Sequence, residues 1–164
     1  MPFFHATDAT FPLRHHLKSP HPVVTCLNAV KALEADPGRP PNAPSRTACY
    51  FACENPENAV HFLEAEVRHA GRVLSGPILA YQVDFPAGHH KGSMALIRAI
   101  EKRLGAGGSA TKMIAEYWKP TLNWKFFEAF GPEMRILASV PVPSDPWGLA
   151  FSRYLDDGDL AARL

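Results

Sequence analysis

Proline is what most constrains the fold of this chain. Sixteen of its 164 residues are proline, roughly twice the ordinary ~5%. Each locks φ and removes a backbone donor, which argues against a bundle of long helices and for strands joined by loops. Prolines 12, 20 and 22 predict loop or irregular structure over residues 11–24. Four more fall within residues 36–45 (DPGRPPNAPS), a stretch with no apolar side chain beyond alanine and proline. That composition predicts an exposed, mobile loop.

The length suits one domain spanning 1–164 on the usual scale of ~100–200 residues. A chain 46% hydrophobic and 20% charged is neither disordered nor fibrous. Seventeen Lys and Arg against sixteen Asp and Glu leave a net charge of +1, which offers no overall field for a nucleic-acid backbone or an acidic membrane. A nucleic-acid partner is therefore disfavoured. Nowhere do the ~18 consecutive apolar residues of a membrane span occur. Three cysteines cannot all pair in one monomer, and no signal-peptide pattern opens the sequence, so a cytoplasmic location is expected, with export lacking a cleaved signal as the other route.

Between the proline-rich stretches, periodicity predicts alternating short elements. Residues 1–7 read as a first strand ending near His5. Residues 23–35 repeat apolar side chains at helical spacing, with Thr25 available as N-cap. An apolar strand over 46–53 runs into a helix-start signal of Asn55, Pro56 and Glu57; the helix continues to about residue 70, with Ala59, Phe62, Leu63, Glu66 and Val67 along one side, and Gly71 closes it. Alternation over 78–85 puts Leu79, Tyr81, Val83 and Phe85 on one face of a strand. An amphipathic helix capped by Ser93 and ended by Gly105 follows, then a short helix over 109–118. Two further strands, 122–129 and 134–142, flank a Gly131-Pro132 turn. The tail after Pro143 is polar, and its weak periodicity predicts no definite element.

Several chemistries fail on spacing. Cys49 and Cys53 sit four apart, but a zinc knuckle needs a second pair and only Cys26 remains. The eight histidines lack helical ligand spacing, so no metal is expected. A cysteine nucleophile would need a nearby cation, and only Arg46 is close in sequence. The glycines of residues 105–108 follow a helix rather than a strand, which fails the context of a phosphate loop and suits a helix terminator. Arg98, Lys102 and Arg103 share part of a helix face that reads as solvated.

A set of separated blocks carries more. Residues 3–8 (FFHATD), then 45–51 (SRTACYF) with the helix behind them, resemble the first two motifs of ADP-ribosyltransferase-like domains of the His-Tyr-Glu type. Tyr117-Trp118, followed by residues 127–136 (FEAFGPEMRI), resembles the third; the strand over 78–85 with residues 90–94 behind it is similar to small uncharacterised bacterial members. The blocks span about residues 3–140.

This resemblance implies an α+β fold, a compact split β-sheet core flanked by two or three short helices. It implies NAD as co-substrate and transfer of ADP-ribose to a macromolecular acceptor, most plausibly protein. His5 would bond a ribose hydroxyl of NAD, Tyr50 would stack on nicotinamide, Arg46 would meet the pyrophosphate, and Glu128 would be the catalytic glutamate. Glu116 and Glu133 compete for that last position. Members that remove a phosphate from RNA ends with NAD are disfavoured by the near-neutral charge and the missing basic constellation. Two other functions stay open: an NAD glycohydrolase, and a non-catalytic module that binds a nucleotide or docks a protein through Trp118, Trp124 and Trp147.

Overall fold

The strand-to-helix junction that the sequence marks most clearly is built as marked. The computed structural model describes residues 1–144 and 147–164, and in it Asn55 Oδ1 accepts from Asn58 N at 2.8 Å, Pro56 opens the helix, and Gly71 ends it at φ 68°. In chain order the elements are β1 (Phe3–Thr7), β2 (His16–Leu17), α1 (Leu27–Ala35), β3 (Tyr50–Cys53), α2 (Pro56–Ala70), β4 (Leu79–Asp84), β5 (His90–Ser93), α3 (Met94–Gly105), α4 (Thr111–Trp118), β6 (Phe127–Gly131), β7 (Met134–Val140) and α5 (Trp147–Ala161). The fold is α+β. Among the described residues seven strands form one antiparallel sheet in the order β2-β7-β4-β1-β3-β6-β5, and five helices accompany it where two or three were expected. No helix among the described residues is long and apolar enough to cross a membrane.

Four local expectations are corrected. Thr25 does not cap α1: Cys26 holds that position at φ 51°, with no side-chain cap bond. Glu101 on α3 supplies the missing acceptor, taking Ala29 N at 2.8 Å and Asn28 Nδ2 at 2.9 Å, so an orphan donor of the first turn is satisfied from another helix. The strand expected over 46–53 shrinks to β3, because Arg46 turns inward and its backbone N–H goes to Glu34 Oε1 at 2.6 Å. The irregular 11–24 stretch contains β2, and the unassigned tail forms α5. The strands on either side of the expected Gly131-Pro132 turn, β6 and β7, do not pair with each other, since β3, β1 and β4 lie between them in the sheet.

That last arrangement bends the sheet. Four strand spacings of a flat sheet measure about 19 Å, whereas Gly131 and Met134 are three Cα steps apart, about 11 Å at most. The sheet closes the gap by curling. The end of β6 is pressed onto the segment after β4, so that a Cβ on Gly131 would lie 2.6 Å from Gly88 O and 2.7 Å from Phe85 Cδ1. Between the two halves runs a thin seam: β1 and β3 share the single register pair Phe4↔Cys53, against five pairs between β1 and β4 and four between β3 and β6.

The two faces of the curl have different covers. Helix side chains such as Leu33, Ile100, Met113 and Tyr117 pack with Phe130 on one face, and α2 adds Ala59, Val60 and Leu63 against Ala6 and Cys53. On the other face Phe3, Tyr81, Val83, Met134 and Ile136 pack on one another, with Phe11 and Leu17 from the segment before α1. The predicted β4 face is intact, since Leu79, Tyr81, Val83 and Phe85 all join this second cluster.

Two outcomes test this packing. Gly131→Ala is expected to lower unfolding free energy by about 1–3 kcal/mol through overpacking at the crossover; a urea titration showing less than about 0.5 kcal/mol would mean slack there. His61 on α2 is buried beside Phe126 and Tyr154, and burial, with help from Arg98 and Arg68, pushes its imidazole down to about 4. The unfolded chain then takes a proton below about pH 6.5 that the folded chain refuses until about pH 4, so acidification through that window favours unfolding. His61→Phe is expected to flatten the fall in thermal midpoint between those values; an unchanged slope would acquit His61.

Candidate functional site

A buried guanidinium is tolerated only where a counter-charge and further hydrogen bonds meet it. Arg46 is 4% exposed and Glu128, the second residue of β6, is 1% exposed; Arg46 Nη1 lies 2.5 Å from Glu128 Oε1. The same Nη1 donates to the Tyr117 hydroxyl at 2.7 Å, and that hydroxyl donates to Glu128 Oε1 at 3.2 Å. Three rings box the guanidinium, with its Cζ 4.9 Å from the centroid of Phe51, 5.1 Å from Phe130 and 5.6 Å from Tyr117, a cation–π setting. Burial alone would lower the Arg46 pKa, but the Glu128 charge, with Tyr117 beside it, holds it above the ordinary range. Burial raises Tyr117 well above the usual phenol value, so it stays a donor.

The sheet register explains the assembly. Phe4, Cys53, Glu128 and Gly92 form one row across β1, β3, β6 and β5. The glycine in that row is required: a Cβ at Gly92 would sit 2.2 Å from Tyr117 Cε2. Tyr117 reaches Glu128 over a strand position that has no side chain.

The four residues singled out from the sequence do not meet at one place. Arg46 and Glu128 are brought together. His5 alternates to the opposite side of β1 from Phe4, and its Nδ1 bonds Phe51 O across the seam at 2.8 Å. Desolvation lowers its pKa, the Phe51 carbonyl partly offsetting it. The crevice there, lined by His5, Phe51, Cys53 and Phe62, holds about 10 Å3, room for roughly one water. Tyr50 is half-buried and stands three residues before Cys53, hence on the other face of β3 from Glu128. Its hydroxyl pKa is raised by burial, with the Ser19 backbone acting against the rise.

The competing glutamates have other work. Glu116 is saturated: Oε1 accepts from Thr121 N, Leu122 N and Trp124 Nε1, and Oε2 from Thr121 Oγ1, all within 2.7–2.8 Å. It organises the turn after α4. Glu133 lies in the crossover, about a third exposed, with Oε2 2.7 Å from His16 Nε2. The thiols are unsuited to nucleophilic work. Burial raises Cys26, pushes Cys49 up to about 12 and raises Cys53 well above its usual value.

Sequence reasoning missed the wall around Glu128. His90 on β5 lies 4.9 Å from the ring of Trp118 and 5.6 Å from that of Phe130. Arg39, from the proline-rich loop, stands 5.7 Å over Trp118 and donates to Ala43 O at 2.6 Å. Five shielded polar atoms with no hydrogen-bond partner among the described residues fall on this group: Arg39 Nε, Arg46 Nε, His90 Nε2, Trp118 Nε1 and Glu128 Oε2. Such atoms are rare in native interiors and mark places where something polar is accommodated. The pairing of Gly92 with Tyr117 has no sequence signature, because it joins β5 to α4 through space. Trp118 and Trp124 are buried, the latter bonded to Glu116; the Trp147 side chain lies outside the described residues.

Chemically, the site is a carboxylate pinned at one oxygen beside a fixed cation, the other oxygen without a partner. Such a group can orient a hydroxyl and stabilise a developing positive centre where water is excluded. A scan against protein-family models finds no family that matches the chain, and a search of curated proteins finds no matching relative.

Breaking the pair should be costly and replacing it cheap. Arg46→Met, which strands a buried carboxylate, is expected to lose about 3–5 kcal/mol in chemical denaturation, and the double variant Arg46→Met/Glu128→Leu to regain most of it. A single variant within about 1 kcal/mol of wild type would show that the pair is solvated in solution.

Proposed function

We propose that this domain transfers ADP-ribose from NAD to a protein acceptor, with Glu128 as the catalytic carboxylate. The observation that carries the reading is the state of Glu128: Oε1 is fixed by Arg46 and Tyr117 while Oε2, in the same water-poor interior, has no partner among the described residues. Support also comes from the resemblance of the blocks around His5, Tyr50 and Glu128, and from an antiparallel α+β sheet that is thinnest beside His5.

In this reading the bond between nicotinamide and ribose C1′ breaks with its electron pair going to nicotinamide, which leaves neutral. Glu128 Oε2 accepts from the nicotinamide-ribose hydroxyl and stabilises the oxocarbenium-like centre. An acceptor nucleophile then bonds C1′ and passes its proton to solvent. His5, its Nδ1 held by Phe51 O, lies like Tyr50 on the sheet face opposite Glu128, so in this reading it braces the seam rather than bonding the same ribose. Arg46 acts on Glu128, where its Nη1 is already engaged, more than on a pyrophosphate. Tyr50 contributes least, because its ring stands across β3 from the carboxylate. Glu128 is 1% exposed, so NAD reaches it only when the residues packed around it move aside. Water in place of the acceptor gives the glycohydrolase form of the same chemistry.

A different observation favours a second reading, a non-catalytic interaction domain: α5 leaves Leu149, Phe151 and Leu155 between 44 and 55% exposed. Nicotinamide release from NAD, with and without cell lysate, separates the readings. Wild type is expected to release nicotinamide faster with lysate, and Glu128→Gln to lose about 100-fold or more, with circular dichroism verifying its fold because Gln leaves Arg46 unpaired. No release and no NAD binding by calorimetry would favour the interaction domain.

A further inference from the structure

An arginine and a carboxylate left to themselves tend to dock as a fork, two nitrogens on two oxygens. Here the contact is one-sided. Arg46 Nη1 meets Glu128 Oε1 at 2.5 Å, and the Tyr117 hydroxyl adds a second donor to that same oxygen at 3.2 Å while accepting from Nη1 at 2.7 Å. The three groups close a triangle with Oε1 at one corner. Both donors lie on one oxygen, and Oε2 is shielded and unpartnered. Tyr117 can stand at that corner only because of the gap at Gly92, where any side chain would strike its ring at 2.2 Å. The ring is fully buried and meets Trp118 edge-on at 5.2 Å, so the hydroxyl has little freedom to turn elsewhere.

We propose that Tyr117 is a positioning residue, admitted by Gly92, which pins Glu128 through Oε1 so that Oε2 is the oxygen presented to the nicotinamide ribose. The inference rests on Glu128 being the carboxylate that faces NAD. Without the hydroxyl, Arg46 is free to slide into the two-oxygen fork, and Oε2 is lost to substrate. Tyr117 touches no substrate in this scheme; it acts through Glu128 alone.

Tyr117→Phe removes the hydroxyl and keeps the ring. It is expected to lower kcat for nicotinamide release about 10- to 100-fold, the scale of a misplaced reacting group, with KM for NAD within about twofold, a split that marks transition-state rather than ground-state loss. Gly92→Ala, which displaces the ring with its hydroxyl in place, is expected to show the same split. In the Glu128→Gln background, Tyr117→Phe is expected to cost nothing further, because residues that act as a unit are non-additive. An active wild type with Tyr117→Phe within about twofold in kcat, an additive loss in the double variant, or a Tyr117→Phe chain that fails to fold would each overturn the positioning role alone. A wild type that releases no nicotinamide overturns the ADP-ribose reading and this inference with it.

Discussion

The structure depends on one buried cation. Arg46 lies where the chain has left the loop 36–45 and not yet entered β3, and its charge must be met inside the protein. Water being excluded, the counter-charge has to arrive from far along the chain, from Glu128 on β6, and the remaining donor geometry from Tyr117 on α4. Those requirements fix α4 against the sheet, place β5 beside β6 with a glycine where the tyrosine crosses, and set three aromatic rings around the guanidinium. Mispacking any of these leaves an unpaired charge in an apolar interior, a larger penalty than any single apolar contact could offset.

The curl of the sheet serves the same end. A flat antiparallel sheet would separate β6 from β7 by more than their short linker can reach, so the crossover at Gly131 commits the two halves to opposite walls of a fold. The weak seam at β1 and β3 is where that bending is absorbed, because a single register pair resists hinging less than four or five. His5 sits at this seam and bonds the Phe51 carbonyl across it, which ties the two halves where the ladder does not. Its place on the molecule is thus structural as well as open to a functional role.

What could be read from the sequence divides along the same line. Local signals were legible: the Asn55-Pro56 start and Gly71 stop of α2, the alternating face of β4, and the loop imposed by four prolines all depend on neighbours in sequence. Signals that depend on distant partners were not. Cys26 replaced Thr25 at the start of α1 because Glu101 supplies the cap from α3. The strand expected at Arg46 was cut short by a charge bound for Glu128. The Gly131-Pro132 turn between two strands was legible, but not that β7 pairs with β4 rather than with its neighbour in sequence. Of the site, Arg46 and Glu128 were legible as candidates, but their pairing with each other was not. Tyr117 was visible only as part of a block, because its role is defined by a glycine 25 positions earlier.

Closure and chemistry are linked at this site. A carboxylate that steadies a positive centre works best in a medium of low polarity, and it keeps its charge there only if a cation already neutralises its cost. Arg46 provides that neutralisation through Oε1 alone, so the second oxygen retains capacity to accept. The loop beside the pair is held by a clasp outside it: Glu34 takes Arg46 N with one oxygen and lies within reach of Ser45 and Arg39 with the other. Proline limits the conformations that loop can adopt once released, which lowers the entropy gained on opening. The stretch that most restricts how the chain can fold is thus also the one that leads directly into its most constrained charge.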